Sequence, residues 1–163
     1  MSAPLRLLLV DDHAVVRDGL AAIMQTEPGI ELVGTAGSGE EALAVAERRS
    51  CEVALVDLLL PDMDGVELTG RLCQRHPGIA VILLTSVADP QRARAALDAG
   101  ARGYLLKDSG ADSLISALRA AARGETVLAQ GVAKSMTRDN GTHDPIGSLS
   151  LRERDVLQLI AEG

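Results

Sequence analysis

The chain has 163 residues, a formal net charge of -7, 47% hydrophobic residues and one aromatic side chain, Tyr104. That length suffices for one domain with a proper core and a short appendage. The acidic balance argues against nucleic-acid binding through bulk charge, because phosphate contacts need clustered Lys and Arg. The core must be aliphatic. Cys51 and Cys73 form no CxxC pair and lie in no Cys/His cluster of zinc spacing, so they read as small reduced side chains in a cytoplasmic protein. No apolar run reaches the roughly 18 residues of a membrane span. Arg6 is not followed by an apolar segment with a cleavage site, so no signal peptide is expected.

Short apolar runs alternate with amphipathic stretches. Residues 5–10 read as a strand that stops at Asp11-Asp12, and residues 13–27 carry Val15, Val16, Leu20, Ile23 and Met24 at helical spacing. Pro28-Gly29 ends that helix, and 30–35 is a second strand. Ser38 caps a helix to about Arg49, with Glu41 three residues on in a capping-box pattern. Residues 52–56 form a third strand. Asp62 and Asp64 read as ordinary cap or turn residues, and Asp64 has the character of an N-cap for a helix to Arg75, closed by His76-Pro77-Gly78. Residues 79–84 are a fourth strand, 90–99 an Ala-rich helix stopped by Gly100, 102–106 a fifth strand and 111–123 a fifth helix stopped by Gly124.

Five βα units in about 125 residues, with strands apolar throughout, predict a parallel sheet covered on both faces. The expected class is α/β: a flavodoxin-like (βα)5 doubly wound sheet. Periodicity leaves the strand order open, and 2-1-3-4-5 is the common order adopted here. Composition changes after residue 129. Residues 130–148 carry Gly131, Asp139-Asn140-Gly141, Pro145 and Gly147 and read as a linker. Residues 149–163 return to helical spacing with Val156, Leu157 and Ile160 on one stripe. One amphipathic helix cannot bury its own stripe, so this C-terminal helical fragment reads as the start of a second domain.

Ligands gather at the carboxyl ends of the strands in such sheets. Asp11 and Asp12 follow strand one, Asp57 follows strand three, Thr85 strand four and Lys107 strand five. Three carboxylates in one pocket repel unless neutralised, and a hard divalent cation such as Mg²⁺ suits them. Lys107 adds a further positive charge. A carboxylate nucleophile beside a metal and a lysine supports formation of an aspartyl-phosphate, a reaction that needs positioning and charge neutralisation above all.

Asp11-Asp12, the run from Asp57 to Gly65 (DLLLPDMDG), the run from Leu83 to Ser86, and the run from Gly103 to Asp108 together resemble the response-regulator receiver pattern. VDDHAVVRDGL and GARGYLLKD resemble the NarL/FixJ subfamily, and LSLRERDVLQLIAEG resembles the first helix of a LuxR-type helix-turn-helix domain. The resemblance implies a receiver domain over 1–129, a linker over 130–148 and the first helix of a truncated DNA-binding domain over 149–163. It implies that Asp57 accepts a phosphoryl group from a sensor histidine kinase. Asp11, Asp12, Asp57 and the carbonyl of Leu59 would hold Mg²⁺, and Lys107 would contact the phosphoryl group. Thr85 and Tyr104 would form a switch pair, in which Thr85 moves toward the phosphoryl oxygens and Tyr104 fills the vacated space. Phosphorylation would drive homodimerisation through helices one and five or through helix four, strand five and helix five. DNA would be read only by the full-length protein, since the recognition helix lies beyond Gly163.

Three further expectations concern detail. Apolar Leu59 and Val87 flank the acceptor and give an attacking water few partners, which predicts a phosphoryl group lasting well beyond seconds. Asp108 stands where many receivers carry Pro: it places an extra carboxylate near the pocket, or else it or Ser109 caps the fifth helix. Two enzyme-like readings are disfavoured. Haloacid dehalogenase-type phosphatases carry a second Asp where this chain has Leu59, and a nucleotide-binding module would want a glycine-rich phosphate loop where this chain has Asp11-Asp12.

Overall fold

The computed structural model describes residues 3–129. The linker and the C-terminal helix expected over 130–163 lie outside the described residues.

The described chain alternates strand and helix: β1 (Leu5–Val10), α1 (Ala14–Thr26), β2 (Ile30–Ala36), α2 (Gly39–Arg48), β3 (Val53–Asp57), α3 (Gly65–Arg75), β4 (Ala80–Thr85), α4 (Pro90–Ala99), β5 (Gly103–Leu106), α5 (Ala111–Ala122) and β6 (Val127–Leu128). All strand pairs are parallel, and the sheet order is β2-β1-β3-β4-β5-β6. The first five strands follow the expected 2-1-3-4-5 order. The sixth was not expected. It has two residues, pairing Val127 with Gly103 and Leu128 with Tyr104, too short to show any periodicity.

Strand residues alternate between two cores. Leu8, Val10, Ala54, Val56, Val81 and Leu83 face one side with Leu68 and Leu72 of α3 and Ala93 and Ala96 of α4. Leu7, Leu9, Val53, Leu55, Ile82 and Leu84 face the other, with Met24 of α1 and Leu114 and Leu118 of α5. Both faces are covered, so both parities along each strand must be apolar. This is the physical cause of the unbroken apolar runs. The register aligns Val10 with Val56, Asp57 with Leu84, and Thr85 with Leu106, so the strand ends carrying the polar residues come to one edge.

Local signals act mostly as expected. The Ser38 side chain accepts from the Glu41 amide, while Glu41 reaches back to the Gly37 amide rather than to that of Ser38. Asp64 accepts from the Glu67 amide and caps α3. Gly100 ends α4 at φ +114°, a left-handed conformation that glycine adopts without strain. One expectation is corrected. Neither Asp108 nor Ser109 caps α5: the N-cap is Gly110, with no side-chain bond, and Ser109 turns back to donate to the Leu106 carbonyl. Asp62 does act as a cap, but for a helix that precedes it. Its two oxygens accept from the amides of Gly39 and Glu40, both at 2.9 Å, capping α2 from 22 residues away in sequence.

Among the described residues no helix is long and apolar enough to cross a membrane, and Cys51 and Cys73 are not joined in a disulfide.

Candidate functional site: an acidic cleft at the sheet edge

Asp11 and Asp12 sit just beyond β1, where the chain turns into α1. The Asp11 carbonyl accepts from the Arg17 guanidinium at 2.7 Å, and its Oδ1 accepts from the His13 amide at 2.8 Å. These bonds fix the turn. The Asp11 side chain is 1% exposed, and its Oδ2 is buried with no hydrogen bond among the described residues. An orphaned buried carboxylate oxygen is costly unless a cation meets it.

Asp57 is the last residue of β3, 3% exposed at its side chain. The loop behind it is held by two bonds: Leu58 donates to the Leu84 carbonyl, and Gly65 donates to the Leu58 carbonyl. Gly65 is required by space. A Cβ there would lie 2.6 Å from Leu83 Cδ2 and 2.7 Å from the Asp57 carbonyl oxygen. Asp57 Oδ2 accepts from Lys107 Nζ at 3.1 Å, and Oδ1 accepts from the Leu59 amide at 3.4 Å. Lys107 Nζ also lies 3.8 Å from Asp11 Oδ2. Burial pushes the Asp57 carboxyl above the usual carboxylate range. The Lys107 bond opposes that rise, and the Asp11 charge reinforces it. The lysine is placed by its own amide, which donates to the Thr85 carbonyl at 2.7 Å just past β5.

Ligating atoms of Asp11, Asp12, His13 and Asp57 lie within 4.8 Å of one another. His13 Nδ1 is 3.4 Å from Asp11 Oδ1 and 3.1 Å from Asp12 Oδ1. The donor set is three carboxylates, one with a spare buried oxygen. It fits a hard divalent cation of the Mg²⁺ kind. His13 was missed as a site residue because it reads in sequence as the first residue of a helix.

Thr85 ends β4 in a buried position. Its hydroxyl donates to the Val87 carbonyl at 3.2 Å and accepts from the Val87 amide at 3.3 Å. Tyr104 in β5 is fully buried in the core beneath α4. Its hydroxyl completes no hydrogen bond among the described residues, and burial raises its pKa, tempered by nearby Thr85. The ring therefore occupies the interior while the Thr85 hydroxyl is engaged by its own loop.

A cleft of about 330 Å³ opens over Asp57. Leu59, Val87, Thr85, Lys107 and His13 line it, with Asp89 and Arg92 from the start of α4. Leu59 and Val87 are both exposed, on opposite loops of this cleft. Arg92 and Asp89 were not singled out by sequence. Asp89 caps α4 by accepting from the amides of Gln91 and Arg92.

Comparison with known proteins agrees with this geometry. The family described as the response regulator receiver domain matches residues 7–119. The chain is 42% identical over 163 residues to the transcriptional regulatory protein LiaR of Bacillus subtilis, covering 98% of this chain and 77% of that protein. It is 39% identical over 160 residues to the response regulator protein VraR of Staphylococcus aureus, with the same shares covered. Among solved structures, a LuxR-family two-component response regulator from Aurantimonas sp. SI85-9A1 superposes with a TM-score of 0.80 at 27% identity, over 85% of this chain and 99% of that one. The chain belongs to the response-regulator receiver family and is a two-component response regulator of the LiaR and VraR type.

Proposed function

We propose that Asp57 is the phosphoacceptor of this regulator and that a sensor histidine kinase is its donor. The observation that carries the reading is the Asp11–Lys107–Asp57 constellation: two buried carboxylates share one lysine, and Asp11 Oδ2, 3.8 Å from that lysine, completes no hydrogen bond among the described residues. Asp57 is the nucleophile. Lys107 gives up Asp57 Oδ2 and pairs with a phosphoryl oxygen, so the charge that grows on the phosphoryl group meets a cation already in place. Asp11, Asp12, Asp57 and the Leu59 carbonyl are the residues that would hold Mg²⁺. When bound, the ion supplies charge neutralisation for the carboxylates and for the phosphoryl oxygens. The Arg17 and His13 bonds keep Asp11 pointed at that position.

The output follows from Thr85. Its hydroxyl leaves Val87 and donates to a phosphoryl oxygen, which frees the β4–α4 loop and consolidates Tyr104 in the core. The receiver spans 1–129, joined by a linker over 130–148 to the LuxR-type domain that begins at 149. Phosphorylation promotes a homodimer, and the full-length dimer reads two DNA half-sites. The exposed apolar side chains Val15, Val16 and Ile23 on α1 support a role for that helix in pairing. The working compartment is the cytoplasm, and the chain does not turn over free substrates.

The test is phosphorylation by acetyl phosphate with Mg²⁺, read by intact mass for wild type and Asp57→Asn. One added phosphoryl group that needs both Mg²⁺ and Asp57 is expected. No adduct on a folded wild-type chain would overturn the reading. Sedimentation of the same samples tests the dimer.

A further inference from the structure

The acidic cleft has two cations in its lining, and they are not equivalent. Lys107 is committed to Asp57 at 3.1 Å and Asp11 at 3.8 Å. Arg92, in the first turn of α4, is not held by the buried carboxylates. Its ion pair is with Asp64 Oδ2 at 3.8 Å, between side chains 45% and 47% exposed. Such a long, solvated pair contributes little stability and breaks readily. Asp64 does not need it, because its other oxygen is already bonded to the Glu67 amide as the α3 cap.

We infer that Arg92 is a second cation of the phosphoryl-transfer site: it leaves Asp64 to grip the phosphoryl group of the incoming donor, a dianion, and so sets the affinity for phosphodonors. The inference rests on the reading of Asp57 as the acceptor. The chemistry favours Arg at this place. A donor phosphoryl group brings two negative charges into a cleft walled by Asp57 and Asp89 and backed by Asp11. Lys107 alone cannot neutralise both the nucleophile and the donor before transfer, and Mg²⁺, when bound, is shared among three carboxylates. A planar guanidinium can bind two phosphoryl oxygens at once, and Arg92 lines the same cleft as Asp57 and Lys107. The Asp89 side chain is occupied by the Gln91 and Arg92 amides, which ties the Arg92 backbone to the rim while its side chain remains free to swing.

The step balances simply. With acetyl phosphate, an Asp57 carboxylate oxygen forms a bond to phosphorus, and the bond from phosphorus to the acetyl oxygen breaks. Acetate departs with that electron pair. A monoanion and a dianion give a dianion and a monoanion, with no net proton transferred. Arg92 changes partner and gains or loses no proton.

The experiment measures phosphorylation rate against acetyl phosphate concentration at saturating Mg²⁺, by intact mass, for wild type, R92Q, R92K, D64N and D57N, with circular dichroism checking the fold of each. R92Q is expected to lower the rate at low donor concentration by about tenfold, what one charge-assisted hydrogen bond contributes. The rate at high donor concentration should recover toward wild type. R92K should fall between them, and added salt should slow wild type more than R92Q. D64N keeps the α3 cap, since Asn caps as well as Asp. It releases Arg92, so its rate at low donor should equal or exceed that of wild type. A folded R92Q with wild-type donor dependence, or a D64N variant slowed as much as R92Q, would overturn the inference while leaving Asp57 the acceptor. A wild-type chain that takes no phosphoryl group, or a D57N variant that still takes one, would remove the underlying reading and this inference with it.

Discussion

Lys107→Met keeps the aliphatic stem and deletes the charge between two buried carboxylates. In the native protein Nζ lies 3.1 Å from Asp57 Oδ2 and 3.8 Å from Asp11 Oδ2. At an effective dielectric of about 20 each contact corresponds to roughly 4 to 5 kcal/mol of gross attraction, most of it offset by desolvation. The net cost comes from stranding the partners, and removing one member of a buried pair costs about 3 to 5 kcal/mol. Lys107 is 24% exposed and water can enter behind it, so about 3 kcal/mol at pH 8 without Mg²⁺ is expected. The pH dependence separates charge from packing. Burial already raises the Asp57 carboxyl, and losing Lys107 removes the main opposition to that rise, leaving only the Leu59 amide bond. A carboxyl raised in the folded state binds its proton more tightly there than in the unfolded chain. Stability is then fully present below the unfolded value, near 4, and falls as pH rises through the folded value, by up to about 1.4 kcal/mol per pH unit. Urea denaturation from pH 4 to pH 8, with and without Mg²⁺, should show a deficit that is small in acid, grows toward pH 8 and shrinks when Mg²⁺ is added. A deficit independent of both pH and Mg²⁺ would refute the electrostatic account and leave only lost packing of the lysine stem.

Three other outcomes are expected. Gly65→Ala should destabilise by about 1 to 3 kcal/mol, the cost of overpacking, because its Cβ would meet the Asp57 carbonyl and Leu83; it should also slow phosphorylation, and a neutral effect in thermal melts would contradict the packing. Asp62→Ala should cost about 1 kcal/mol through the lost α2 cap. Burial raises the Asp62 carboxyl, but the amide bonds outweigh it and hold it below its ordinary value, so the difference from wild type should be present at neutral pH and vanish as pH falls through the folded value. Leu59→Asn should shorten the life of the phosphoryl group by giving an attacking water a hydrogen-bond partner; an unchanged decay rate after removal of the donor, followed by mass, would sink the apolar-shield argument.

The parts of this protein legible in its sequence are those written in local physics. Apolar strand runs, the caps at Ser38 and Asp64 and the stop at Gly100 each act within a few residues, so spacing and residue type reveal them. The acidic site was legible because its residues fall at strand ends, where a doubly wound sheet gathers its ligands, and because the motifs around them resemble a family. Local physics was silent wherever the partner is distant. Strand order depends on which crossover packs over which face, and β6 is strand only because β5 offers it an edge. Asp62 caps a helix 22 residues upstream, and Asp108 and Ser109 fail to cap the helix immediately after them. His13 and Arg92 join the cleft only when the β1–α1 turn and the start of α4 are brought beside Asp57. Residue identities decide what each segment can become, but a hydrogen bond or an ion pair needs two groups at one place, and only the packed sheet determines which two meet.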